Sequence, residues 1–369
     1  MPKVSVILPC FNVAPYIGAC LDSLLNQTLS DIEIICVDDK STDDTVTIIK
    51  KYAKRDNRIS LIEFPHNQGV AIARNTGIEA AMGEYIGFID PDDYVDLDFF
   101  EKLYDVAKRE DADIAKASLI TVNVNGVHTP NRLNWAVKQD KLNFQYEFMS
   151  AVYKKNFLDK YNLHFLAGCT IGEDINFLVK TAYLANKIPV IDSTAYMYIR
   201  RSDSAYCDLL TRKKIEKVCW ASADLLNWAN SQEQMCKADY LNILRSVYGL
   251  LLNNVPRAMT HQDKELIGQY IVDAYKNTRY KEDALKRNFK SYTRLPLIRG
   301  QVSKMLRTLA YKKKRYKLFG FIPVVKTLYA PKQEYKVILF DLFTVFKCVR
   351  GQWNDNFYIC GIKVMKVAH

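Results

Sequence analysis

Residues 83–93 read Gly83-Glu84-Tyr85-Ile86-Gly87-Phe88-Ile89-Asp90-Pro91-Asp92-Asp93. An apolar run, read as a buried strand, delivers three acidic residues within four positions. Repulsion among such carboxylates raises their proton affinity unless a cation or hydrogen-bond donors offset it. Hard oxygen ligands with few protein contacts suit Mg²⁺ or Mn²⁺ bridging to a substrate diphosphate. The alternative is an acidic turn opening the next helix, for which Asp is a natural cap.

Upstream of this strand, short β-branched runs alternate with amphipathic stretches. Strands are expected at Val4–Leu8, Ile32–Val37, Ile59–Phe64 and Tyr85–Ile89, and helices at Tyr16–Gln27, Thr42–Lys54 and Val70–Ala81. Parallel strands need crossover connections, so this rhythm predicts an α/β domain with a mainly parallel central sheet and helices on both faces. Ser41, three residues before Asp44, reads as the cap of the second helix. Ligands in such folds lie beyond the carboxyl ends of the strands. Those ends carry Pro9-Cys10-Phe11-Asn12, Asp38-Asp39, His66-Asn67-Gln68-Gly69 and Asp90-Pro91-Asp92-Asp93. Asp38 and Asp39 can accept hydrogen bonds from a nucleobase imide or a ribose hydroxyl. Gly69 turns the chain into a helix whose Arg74 can pair with phosphate or a base carbonyl; a surface ion pair is the default for a lone helical arginine.

Downstream, Tyr146–Arg201 forms a second block, with Gly172-Glu173-Asp174 at the mouth of a helix-like Ile175–Leu184. Residues 212–290 read as helices. The tail repeats itself: Tyr316–Lys326, Val337–Lys347 and Phe357–Lys366 are three similar blocks, with Phe319, Phe340 and Cys360 in matching places. Similar hairpins in a small strand-rich layer account for them, and so does a dedicated membrane or partner surface. The formal charge of +11 is local to this tail, because residues 299–369 carry a net +12 and residues 1–298 a net −1. Nine cysteines, odd in number and without a CxxC pair, argue against a disulfide framework or structural zinc and for reduced thiols in a cytosol. No stretch reaches the ~18 apolar residues of a membrane span, and the opening apolar run is too short for a signal peptide. The expected division is 1–205 (1–117 on the nucleotide side, 118–205 on the acceptor side), a helical region 206–298, and a basic region 299–369.

Taken together, the segments VSVILPCFN, QTLSDIEIICVDDKSTDDT, NQGVAIARNTGIEAAMGEYIGFIDPDD and GEDINF resemble, in order and spacing, the family 2 glycosyltransferases with the GT-A fold, over roughly the first 205 residues. The resemblance implies that Pro9, Phe11 and Asn12 sit on the first-strand loop against the nucleotide, with phenylalanine where this family commonly has tyrosine. It implies that Asp39, beside Asp38, holds uracil or another base. Asn67 and Gly69 belong to the same binding surface, and Arg74 becomes a base- or phosphate-side contact. Asp90 and Asp92 match the DxD pair around Pro91: Asp92 as direct ligand of Mn²⁺ or Mg²⁺, Asp90 toward the ribose or a metal-bound water. Glu173-Asp174 matches the family's ED motif, which implies Asp174 as general base and Glu173 as acceptor ligand or orienter, with the two roles exchangeable and helix capping as the alternative. Arg200 or Arg201 is expected to clamp the diphosphate. The QxxRW segment of processive members is absent, which implies single-sugar transfer.

The resulting expectation is an inverting, metal-dependent transferase. It would pass a sugar from a nucleotide sugar, UDP-linked, to a saccharide or lipid-linked oligosaccharide in bacterial surface-polysaccharide assembly. It would work in the cytoplasm, with residues 299–369 against an anionic membrane face. A basic-tailed binding or scaffold protein on an inactive body is a competing class, disfavoured by the complete acidic set, and no nucleic-acid partner is expected. A nucleotidyltransferase would need a Gly-rich phosphate loop where Pro9-Cys10-Phe11 stands. His128 and His164 read as structural or exposed. Trp135 and Trp220 can stack on a sugar, with helix or loop packing as the alternative.

Overall fold

The first three crossovers follow the apolar runs: β1 (Val4–Cys10), α1 (Ile17–Leu25), β2 (Ile32–Asp38), α2 (Thr45–Ala53), β3 (Ile59–Glu63), α3 (Val70–Ala80), β4 (Tyr85–Phe88). This computed structural model describes residues 1–122, 128–130, 147–200, 210–258, 260–288 and 299–304, and the strand segments 312–318, 322–330, 334–339, 343–350, 354–359 and 362–368. The chain continues through β5 (Tyr94–Val95), α4 (Phe99–Arg109), β6 (Ile114–Val122), β7 (His128–Pro130), β8 (Ala151–Lys154), α5 (Lys155–Lys160), α6 (Glu173–Leu184) and β9 (Val190–Ile199). These strands build one nine-stranded sheet of order β3-β2-β1-β4-β8-β6-β9-β5, with β7 added to β6.

The expected parallel character holds in the first half, where β1 runs parallel to β2 and β4, and β2 to β3. Beyond β4 the sheet is mixed: β8 is antiparallel to β4 and β6, β5 is antiparallel to β9, and β6 and β9 are parallel. The short link from β8 into α5 and the two-residue β5 lack the length and periodicity that betray a crossover unit.

Both sheet faces are covered. Ile17, Cys20, Leu21 and Leu24 form the i, i+3, i+4, i+7 stripe of α1 and pack with Phe99, Phe100 and Leu103 of α4 on one face. On the other, Ala71, Ala73 and Ile78 of α3 meet Phe157 of α5, Phe177 of α6 and the β4 residue Phe88. Phe88 is the hub of that side, making edge contacts with Phe148, Tyr153, Phe165 and Phe177 at centroid distances of 5.3–5.9 Å.

Ser41 does not cap α2, which begins at Thr45. Its Oγ instead accepts from the Asn12 N–H at 3.0 Å, while Asp43 accepts from the Ala14 and Thr45 amides, each at 3.0 Å. The loop that would have served the helix is used to pin the loop after β1.

The remaining helices are α7 (Arg212–Ser231), α8 (Lys237–Asn254), α9 (His261–Lys276) and α10 (Lys281–Asn288). A capping box starts α9: the Thr260 hydroxyl accepts from the Asp263 N–H, and the Asp263 carboxylate accepts from the Thr260 N–H. A second, six-stranded antiparallel sheet follows in simple order: β10 (Lys312–Leu318), β11 (Ile322–Ala330), β12 (Glu334–Leu339), β13 (Phe343–Arg350), β14 (Asn354–Ile359), β15 (Ile362–Ala368). Each repeated block spans one of three hairpins, β10–β11, β12–β13 and β14–β15; Phe319, Phe340 and Cys360 themselves lie outside the described residues.

The chain divides into two compact units, 1–208 with 216–247, and 209–215 with 248–369. The helical block expected at 206–298 is therefore shared between them. Among the described residues no helix is long and apolar enough to cross a membrane, and Cys10, Cys20, Cys36, Cys169, Cys219 and Cys236 are free thiols.

Candidate active site

Register places the donor side of the site. β1 and β2 end level, Cys10 opposite Asp38, and the Asp39 N–H donates to the Cys10 carbonyl at 2.8 Å. After β1 the chain turns sharply at Asn12 (φ 52°), whose Oδ1 accepts from the Thr42 N–H at 2.8 Å. Pro9 is buried within β1, and Phe11 beside the turn is 46% exposed, an aromatic face open to a planar ligand.

The two aspartates behave differently from each other. Both oxygens of buried Asp39 accept backbone hydrogen bonds, from the Gln68 N–H at 2.6 Å and the Gly69 N–H at 2.8 Å. Asn67 Nδ2 donates to the Asp39 carbonyl at 3.1 Å. Asp39 thus clips the loop into α3, and Gly69, at φ 94°, takes a backbone conformation open chiefly to glycine. Asp38 Oδ2 accepts from the Ser41 N–H at 3.0 Å, whereas its Oδ1 is buried without a partner among the described residues.

Arg74 is turned inward rather than toward a phosphate or base. Its guanidinium is buried and donates to Asp90 Oδ1 at 3.0 Å and Glu173 Oε1 at 3.2 Å. It also lies over the Phe148 and Phe165 rings, 4.6 and 5.1 Å from their centroids. Two carboxylates brought into an apolar wall need a shared cation, and a planar fork that also stacks supplies it. Asn75, the next residue, holds Phe165 by a reciprocal pair with its backbone, at 2.9 and 2.8 Å.

Glu173 and Asp174 open α6 after Gly172, which at φ 91° makes the left-handed turn into the helix. Glu173 is sealed; burial, then the Asp174 charge, push its carboxyl up to about 7 against the opposing pull of Arg74. Asp174 is only half-buried and accepts from the Ile175 N–H at 2.8 Å. Enclosure by protein raises its proton affinity, and Arg74 opposes the rise. A carboxylate with raised affinity, open to solvent on one side, can take a proton from a hydroxyl.

The acidic turn after β4 is held from below. The Tyr196 hydroxyl of β9 donates to Asp93 Oδ2 at 2.7 Å and accepts from the Asp90 N–H at 3.1 Å, and the Ile199 N–H donates to Asp93 Oδ1 at 2.7 Å. Burial first, then Asp90 and Asp92, push the Asp93 carboxyl to about 8. Asp93 is thus the fastener of the turn. Asp92 and Asp90 remain partly exposed beside buried Pro91. Their hard oxygens fit Mg²⁺ or Mn²⁺. Among the described residues no three His, Cys, Asp or Glu side chains converge on a metal position. Arg200, exposed, follows Ile199 on the strand end that grips Asp93. Arg201 and Trp135 lie outside the described residues.

A family model described as Glycosyl transferase family 2 matches residues 5–175. The glycosyltransferase GlyG of Streptococcus pneumoniae serotype 4 is 31% identical over 219 residues, 54% of this chain and 72% of GlyG. EpsJ of Bacillus subtilis, described as an uncharacterized glycosyltransferase, is 36% identical over 217 residues; the match takes in 55% of this chain and 63% of EpsJ, less than two thirds of that relative. Among solved structures, S. aureus TarS 1–349 in complex with UDP-GlcNAc superposes with a TM-score of 0.66 at 20% identity, over 85% of this chain and 95% of that one. The fold is the GT-A arrangement.

Proposed function

Because the chain belongs to glycosyl transferase family 2, we propose that it transfers a single sugar from a UDP-sugar to a hydroxyl of a saccharide or lipid-linked oligosaccharide, with inversion at the anomeric carbon. The observation that carries this reading is the buried Arg74, which joins the acidic turn at Asp90 to Glu173 beside Asp174. One guanidinium thereby brings a diphosphate-side carboxylate and an acceptor-side carboxylate into one constellation.

On the donor side Phe11 offers a stacking face, and Asp38 and Asp39 stand at the neighbouring strand end for the base or ribose. Mg²⁺ or Mn²⁺, held by Asp92 and Asp90, supplies charge neutralisation for the leaving nucleoside diphosphate when bound. Arg200, at the end of the strand that grips Asp93, adds a cation on the same rim. Asp174 accepts the proton of the acceptor hydroxyl as that oxygen attacks the anomeric carbon opposite the leaving group. Glu173, fixed by Arg74, orients the acceptor side. The donor in the TarS complex, UDP-GlcNAc, supports a UDP-sugar as donor, and the role proposed for this chain is surface-polysaccharide assembly. The net +12 of residues 299–369 supports contact with an anionic membrane that carries a lipid-linked acceptor.

A screen of nucleotide sugars with Mn²⁺ or Mg²⁺, following UDP release, tests the reading. Asp174→Asn is expected to lower kcat by roughly 10²–10⁴-fold while UDP still binds, and Asp92→Ala to abolish the response to metal. Failure to bind any nucleotide sugar, or turnover indifferent to metal and to Asp92, would sink it.

A further inference from the structure

Trp220 is 41% exposed on α7, although its neighbours Val218, Cys219 and Ala221 are fully buried. The ring therefore offers a flat apolar face with a polar edge to a ligand. The Lys217 ammonium lies 5.2 Å from the Trp220 ring centroid and, among the described residues, forms no ion pair with a carboxylate. A half-buried cation over an indole is thus available to an anion.

This pair borders the segment that leads into Asp174. A Cβ placed on Gly168 would stand 3.9 Å from Lys217 Nζ and 4.0 Å from Trp220 Cζ3. The Cys169 thiol donates to the carbonyls of Ile171 at 3.1 Å and Lys217 at 3.6 Å, tying loop to helix. Asn176 Nδ2, two residues after Asp174, donates to the Ala221 carbonyl at 2.7 Å, so the first turn of α6 is anchored to the residue following Trp220. The platform and the general base are therefore held by one set of contacts.

We propose that Trp220 and Lys217 form an acceptor subsite, in which the indole stacks on a sugar ring and the ammonium pairs with an anionic substituent of that sugar or its neighbour, a carboxylate or a phosphate. An indole covers the C–H face of a pyranose, and the cation selects charged glycans over neutral ones. The proposal rests on the transferase reading for its purpose and on the α7 geometry for its location.

The test is calorimetric titration of the full-length protein with three probes: tetragalacturonate, phosphorylated maltotetraose and maltotetraose. UDP binding is measured on the same samples. Wild type is expected to bind one anionic probe more tightly than maltotetraose, and which one identifies the charge. Trp220→Ala should weaken that probe about ten-fold or more, as loss of an aromatic stack does, while Trp220→Phe keeps most of the affinity. Lys217→Gln should bring the anionic probe down to the level of maltotetraose. Equal binding by all variants, or no saccharide binding by a wild type that binds UDP, overturns the subsite and leaves the donor reading standing. Trp220-dependent saccharide binding by a protein that ignores UDP does the reverse.

Discussion

Arg74 shows what a single side chain can hide. In sequence it is one arginine on a helix, and its partners Asp90 and Glu173 are 16 and 99 positions away. The ordinary expectation for such a residue is an exposed ion pair, and nothing local signals that the fold folds it inward. Arg74→Ala leaves two enclosed carboxylates without their cation and is expected to destabilise the protein by roughly 3–5 kcal/mol in urea unfolding. Arg74→Lys should recover little, since a point charge cannot serve both carboxylates and stack on two rings. Lys116 on β6 makes a second residue-level case: it is buried, its ammonium donates to the Glu147 carbonyl at 2.8 Å, and burial lowers its pKa from 10.5 to about 8. Between those two values the unfolded chain holds a proton that the folded chain has released, so this group makes stability rise as pH climbs from about 8 to 10.5. Urea titrations across that range should show a rise of up to roughly 3 kcal/mol that Lys116→Met abolishes.

At the scale of elements, the first three β-α units were legible because apolar runs and helical stripes are local patterns. Their boundaries fell within a few residues of those observed. What was not legible was how elements are fastened: the link between the acidic turn and β9 runs through Asp93 and Tyr196, 103 residues apart. Tyr196→Phe removes the hydroxyl that serves both Asp93 and the Asp90 amide. It should cost about 1–3 kcal/mol and raise the KM for the donor more than it lowers kcat, because the turn that presents Asp90 and Asp92 loses its support. Close packing of α3 on β1 gives another element-level expectation. A Cβ at Gly77 would collide with Ile7 Cγ2, so Gly77→Ala should lose roughly 1–3 kcal/mol in thermal or urea unfolding through overpacking.

For the whole molecule, the charge count located the basic surplus in residues 299–369, and the repeat spacing anticipated hairpins; both are composition-level signals that survive without tertiary knowledge. The site was legible as a set of strand ends but not as the hydrogen bonds from Gln68, Gly69 and Ser41 that fix the Asp39 and Asp38 side chains. Flotation with anionic liposomes should show partitioning of the full chain that disappears when residues 299–369 are removed; equal partitioning would dismiss the membrane reading. The order of the second sheet leaves β10 and β15 as its borders. A second copy adding itself along β10 would set one Lys312-Lys313-Lys314-Arg315 run against another, and like charges directly opposite each other oppose such pairing. The same residues proposed to meet an anionic surface thus guard that border against self-assembly into extended sheets, and Lys363 and Lys366 put like charges on the β15 border as well.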